Sequence, residues 1–160
     1  MQKVTPFLWF DGNAEEALNF YVSLFKDSKI ANVRRNEKGG FGPQGALFSA
    51  TLQIDGQEFM VLNAPGRQSE FSEAISLYVN CESQAEVDEL WSKLTEGGGE
   101  SQCGWLKDKY GLTWQIIPTV LGEMMSDKDP VKAGRAIQAM LQMQKLDIRR
   151  LQEAFDGVTV

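Results

Sequence analysis

Residues 13–24, NAEEALNFYVSL, and residues 83–94, SQAEVDELWSKL, read alike at an offset of 70. Self-similarity at a fixed offset means that one supersecondary unit is used twice, which restricts the folds open to the chain more than any other feature. Each copy opens on a capping-box pattern, Asn13 to Glu16 and Ser83 to Glu86. In such a box the cap side chain accepts the N3 amide and the Glu reaches back. Apolar residues follow at Ala17, Leu18, Tyr21, Leu24 and Phe25, and at Val87, Leu90, Trp91 and Leu94. That i, i+3, i+4, i+7 spacing predicts two helices, each with one apolar face.

The flanks repeat as well. A strand is predicted before each helix, over Val4–Phe10 and over Ala74–Val79. A Gly-rich connection follows each helix, with Gly39, Gly40, Gly42 and Gly45 in one half and Gly97 to Gly99 in the other. Then comes a hairpin. Residues 46–54 and 57–63 flank Asp55-Gly56, and residues 104–109 and 112–117 flank Tyr110-Gly111. Each half therefore reads as a strand, a helix, then two or three antiparallel strands. The remainder is helical: Pro130 suits a first turn, Ala136, Ile137, Met140, Leu141 and Met143 form a stripe, and Asp147 caps a last helix ending before Gly157. The Met-rich stripe reads as core or as a partner surface, since its spacing does not cluster soft metal ligands.

Composition removes several functions. There is no histidine, so Ser-His-Asp, Cys-His and HExxH chemistries are all excluded. The formal net charge of −6, with no basic cluster interleaved with aromatics, argues against nucleic acid as a partner. No apolar run is long enough to span a bilayer and the N-terminus has no signal-peptide pattern, so a cytoplasmic protein without a membrane partner is expected. Cys81 and Cys103 fit reduced thiols there better than a disulfide. The triple glycine at 97–99 follows a helix and lacks the G-x-G-x-x-G spacing of a dinucleotide loop, so it reads as a turn.

The segments TPFLWFDGNAEEALNFY, DGQEFMVLN, EAISLYVNCESQAEVDELW, GGGESQCGWLKDKYGLTWQIIPT and KAGRAIQAMLQMQKLDI, in this order, resemble the PhnB-like branch of the vicinal-oxygen-chelate superfamily. That superfamily contains the glyoxalases and bleomycin-resistance proteins, and this branch is also described as 3-demethylubiquinone-9 3-methyltransferase-like. The resemblance covers residues 3–157 and implies an α+β fold. Two βαβββ modules, over 3–66 and 70–120, would form a cup-shaped mixed sheet in a single domain, with C-terminal helices over 121–157. A homodimer is also implied, and the stripe at Ile137, Met140, Leu141 and Leu151 is expected to supply its surface.

Metal-dependent members carry a His or Gln on the first strand of each module and a Glu on the last. The resemblance places those positions at Thr5, Ala74, Met60 and Gln115, of which only Gln115 can ligate, so no metal and no other cofactor is expected. A one-residue slip would recruit only Glu58. Methyl transfer is no better supported, because the usual S-adenosylmethionine fold needs a Gly-rich loop after the first strand and residues 9–12 supply Gly12 alone.

Alternation along strands assigns Leu8, Phe10, Phe59, Val61, Ile75, Leu77, Val79, Trp114 and Ile116 to the helices. The opposite parity, Thr5, Phe7, Trp9, Glu58, Met60, Leu62, Ser76, Tyr78, Thr113 and Gln115, mixes aromatic surface with a few polar groups, as ligand pockets do. The same aromatics could instead fill a second core. The expected ligand-binding residues are Phe7, Trp9, Met60, Leu62, Ser76, Tyr78, Trp105 and Gln115, with Trp9, Met60, Tyr78 and Gln115 converging on one cavity. Glu58 and Tyr78 are weak acid–base candidates. Cys103, near Trp105 and Lys107, is a candidate thiol or a small residue of a hairpin strand. Three functions follow: a metal-free protein that binds an unidentified small molecule, a metal-independent enzyme using Glu58 or Tyr78, or an interaction protein whose C-terminal helices carry the function.

Overall fold

The computed structural model describes residues 2–158. They divide into two compact units with the boundary between Glu70 and Phe71.

The first unit runs β1 (Phe7–Phe10), α1 (Ala14–Leu24), β2 (Lys29–Arg35), β3 (Leu47–Ile54) and β4 (Gln57–Asn63). Its four strands lie in the order β1-β4-β3-β2, with β1 parallel to β4 and the other pairs antiparallel. Ala14, Ala17, Leu18 and Tyr21 of α1 are buried, as are Leu8, Phe10, Ala50, Leu52, Phe59 and Val61 of the sheet. Burying each large side chain contributes about 1.5–3 kcal/mol, so the helix stripe and one sheet face together form the core of this unit. The Asp55-Gly56 turn has φ of 47° and 79°. Positive φ at both central residues is what a two-residue hairpin requires, and Asp-Gly tolerates it.

Three expectations are corrected here. The first strand starts at Phe7 rather than Val4, and Val4 is exposed. Asn13 does not cap α1 through its side chain. The cap comes from the sheet: Asn63 Oδ1 accepts the Gly12 amide at 2.9 Å and the Ala14 amide at 3.3 Å, while Asn63 Nδ2 donates to the Leu47 carbonyl at 2.9 Å. The third correction is β2, which falls where the sequence reads as connection. It is an edge strand with irregular register against β3, interrupted at Asn32 (φ 51°), so no two-residue alternation reveals it.

The second unit repeats the plan with β5 (Ser76–Cys81), α2 (Gln84–Thr95), β6 (Gly99–Glu100), β7 (Trp105–Lys107) and β8 (Thr113–Pro118). The order is β5-β8-β7-β6, with β5 parallel to β8. The capping predicted for α2 is present in half: Ser83 Oγ accepts the Glu86 amide at 3.2 Å, but Glu86 reaches past the cap to the Glu82 amide at 2.8 Å instead of to that of Ser83. Gly98 is fixed by space, since a Cβ there would stand 2.0 Å from the Lys107 carbonyl oxygen. β5 starts two residues later than expected, because pairing with β8 begins at Ser76 and the Ile75 amide turns back to the Ser72 carbonyl. Ile75, expected against the helix, is 77 % exposed. Leu77 and Val79 are half-buried, whereas Leu106, Trp114 and Ile116 are buried.

Three helices complete this unit, α3 (Thr119–Met125), α4 (Pro130–Met140) and α5 (Ile148–Asp156). Asp129 and Asp147 cap the last two, and Gly157 ends α5 at φ 76°. Ile117, Leu121, Met124, Ala136, Met143, Leu146 and Leu151 form their core. Of the two readings of the stripe, the core one holds for Ala136, Met143 and Leu151, while Ile137 lies outside this cluster and is half-buried. Leu151 is fully buried inside its own unit and Met140 and Ala139 pack on the same cluster, which leaves Leu141 as the exposed member. The segment between α4 and α5 is held at several points: Gln84 Nε2 donates to the Leu146 carbonyl, Gln84 Oε1 accepts the Ile148 amide at 2.7 Å, and the Cys103 and Gly104 amides donate to the Met143 and Gln144 carbonyls.

Candidate functional site

Each unit has one sheet face covered by its helix and one that is not. Strand registers define the uncovered faces, because directly paired residues share a side. In the first unit Phe7 pairs with Met60 and Trp9 with Leu62. Thr51 pairs with Met60 and Gln53 with Glu58, so β3 extends the same face. Phe7 is 56 % and Met60 49 % exposed, while Trp9, Leu62 and Glu58 are half-buried. The Trp9 indole is oriented by its N–H, which donates to the Ala64 carbonyl at 2.8 Å. What Trp9 offers a ligand is therefore ring surface.

In the second unit the uncovered face has two rows. Tyr78 pairs with Gln115, and Gln115 with Trp105; Ser76 pairs with Thr113, and Thr113 with Lys107. Tyr78 is 54 % exposed. Gln115 Nε2 donates to Ser76 Oγ at 2.8 Å, which fixes the amide and directs its carbonyl oxygen elsewhere. The eight expected ligand-binding residues thus divide into two groups of four. Phe7, Trp9, Met60 and Leu62 share one face, and Ser76, Tyr78, Trp105 and Gln115 share the other.

Lys107 and, on β3, Thr51 and Gln53 belong to these faces without having been assigned to the site. Pairing was the missing signal. Alternation within one strand was applied to the first and last strands of each module and not carried across to β3 and β7.

The candidate acid–base and thiol groups fare differently. Glu58 lies on the first face at the hairpin end of β4, where its backbone amide and carbonyl are bonded to the Gln2 side chain. Cys103 is not in a hairpin strand. It sits in the turn before β7 at φ 60°, and its amide is committed to Met143. Cys81 is buried on the helix-covered side. Burial, with the charges of Glu86 and Glu82, pushes its thiol from the ordinary 9.0 up to about 12, so it holds no thiolate near neutrality.

A divalent cation does not fit these side chains. Thr5 and Ala74 precede β1 and β5, and Glu58 is the one carboxylate on either uncovered face. Among the described residues, no group of three or more His, Cys, Asp or Glu is placed to hold a metal ion. A methyl donor of the S-adenosylmethionine type is no better served. The loop after β1 offers a single glycine, and the Gly12 amide is already bonded to Asn63. A groove of about 520 Å³ beside α5, lined by Gln84, Ile148, Gln152 and Val158 among others, includes none of the expected site residues. Among the described residues no helix is long and apolar enough to cross a membrane.

No curated protein sequence matches the chain. Residues 2–117 match the family described as 3-demethylubiquinone-9 3-methyltransferase. Among solved structures, the PhnB protein from Bacillus cereus is 40 % identical over 74 % of this chain and 100 % of its own, with a TM-score of 0.70. Protein PA1353 from Pseudomonas aeruginosa, 19 % identical over 74 % of this chain and 98 % of its own, superposes with a TM-score of 0.57. The fosfomycin resistance protein FosX from Listeria monocytogenes, 11 % identical over 79 % of this chain and 98 % of its own, gives 0.52. These last two share the fold. With its duplicated βαβββ plan and this family match, the chain belongs to the 3-demethylubiquinone-9 3-methyltransferase, PhnB-like family.

Proposed function

We propose that this protein binds a small, partly aromatic molecule on its uncovered sheet faces, without a metal ion. The observation that supports this is the side-chain content of those faces: Phe7, Met60 and Tyr78 are each about half exposed, Phe7 and Met60 alternating with buried residues and Tyr78 with the half-buried Leu77 and Val79. Covering such groups stabilises a complex by about 25 cal/mol per Å² of apolar area before ordering costs. On the second face the Ser76–Gln115 pair supplies a fixed polar reference beside Tyr78. Contacts of this kind orient a ligand and add specificity, while the apolar area supplies most of the affinity.

The reading is tested by mass-spectrometric profiling of small molecules that co-purify with the wild-type chain and with the Met60→Ala and Tyr78→Ala variants. The expected result is a compound held by the wild type and lost from at least one of the variants. A compound retained equally by both variants, or none held by the wild type, overturns it.

A further inference from the structure

On the second face, one row differs in character from the other. Tyr78, Gln115 and Trp105 form a row of ring and amide surface, whereas Ser76, Thr113 and Lys107 place two hydroxyls and an ammonium side by side across three strands. Among the described residues Lys107 has no carboxylate or hydrogen-bond partner, and no acidic side chain shares this face. Thr113 is only 6 % exposed as a residue, but its hydroxyl, which meets no protein partner among the described residues, reaches solvent. Here it stands between a serine and an uncompensated cation.

We propose that the ligand of this face is an aromatic anion, its ring on Tyr78 and Trp105 and its carboxylate or equivalent oxyanion received by Lys107, Thr113 and Ser76. The inference rests on the binding reading above and specifies its ligand class. Geometry and charge both support it. Residues two apart on a strand are about 7 Å apart, so the rows are spaced as a fused bicyclic ring and its carboxylate are. An anion at this row completes the hydrogen bonding of Thr113 and neutralises Lys107, whereas a neutral ring leaves both as they are. Ser76 Oγ accepts from Gln115, so its own proton is free to be donated to the anion.

The test is an amide NMR titration of the full chain with 2-naphthoate and with its neutral counterpart 2-naphthamide. Wild type is expected to bind naphthoate about ten- to a hundredfold more tightly, the range of a charge-assisted hydrogen bond, with shifts at Ser76, Trp105, Lys107 and Thr113. Lys107→Gln should remove the preference while keeping naphthamide binding, Lys107→Arg should retain it, and Thr113→Val should weaken it. Lys107 is exposed and its substitution leaves the core untouched. Equal affinity for the two probes at these strands, or a preference that survives Lys107→Gln, overturns the anion assignment and leaves the binding reading standing. Absence of shifts on these strands with either probe overturns both.

Discussion

The indole nitrogen of Trp114 donates to Asp108 Oδ2 at 2.9 Å, joining the largest fully buried side chain of the second unit to the carboxylate that closes the β7–β8 turn. The other carboxylate oxygen accepts the amides of Tyr110 and Leu112. Hairpin and core are therefore one construction, and β7 stops at Lys107 because the next residue turns inward to make these bonds.

Asp108→Ala is expected to destabilise the protein by at least about 3 kcal/mol, since each buried donor left unpaired costs roughly 1–3 kcal/mol. Trp114→Ala should cost about 3–5 kcal/mol, the usual penalty for truncating a core aromatic. Because the two residues share a contact, the double variant should lose less than the sum of the single effects. Urea denaturation of the three variants checks this.

The helix start at Ala14 makes a sharper comparison. Asn63→Ala should cost about 1–2 kcal/mol, at the upper end for a lost cap because Asn63 also bonds Leu47. Asn13→Ala should change stability by less than about 0.5 kcal/mol, as at an ordinary surface position. The reverse order would return the cap to Asn13.

The thiols should separate by reactivity. Iodoacetamide at pH 8 is expected to alkylate half-buried Cys103 first and Cys81 only on unfolding, read as one and then two mass increments. The raised Cys81 value also carries a sign. Stability tied to this neutral thiol is present below its unfolded value near 9.0 and is lost as pH rises towards about 12. Cys81→Ala should flatten the alkaline limb of the stability profile.

Removing residues 127–160 should not yield a well-folded smaller chain. It takes Ala136, Met143, Leu146 and Leu151 out of a core that also contains Ile117 of β8, leaving β8 and α3 with an exposed apolar face. Soluble material with an unchanged thermal midpoint would contradict this.

Elemental analysis after dialysis should find less than one equivalent of Zn, Ni, Mn or Fe per chain, as the donor set on the two faces contains one carboxylate and no imidazole. A stoichiometric metal would require ligands outside these faces.

The duplication and its helices were legible because burial of one stripe imposes a period, and Ala17, Leu18, Tyr21 and Val87, Leu90, Trp91, Leu94 are buried as that period requires. The first hairpin was legible from Asp55-Gly56. What escaped depends on pairing between distant segments. Asn63 reaches its partners across some 50 residues, and β2 has no alternation because most of its side chains face solvent. The faces that carry the candidate residues were legible, and the rows within them were not. Parity separated Tyr78 and Gln115 from Val79 and Ile116, but only the β7–β8 register sets Lys107 beside Thr113.

The amide of Gln84 has a consequence for how the protein opens. It is the first residue of α2, and its side chain holds both the Leu146 carbonyl and the Ile148 amide. Fraying α5 alone must break the bond to Ile148, and melting the first turn of α2 releases the tail. The Ile148 amide should therefore exchange with deuterium at the rate of α2, not at the rapid rate of a chain terminus. Proteolytic nicking between α4 and α5 should likewise await an excursion that loosens the whole second unit.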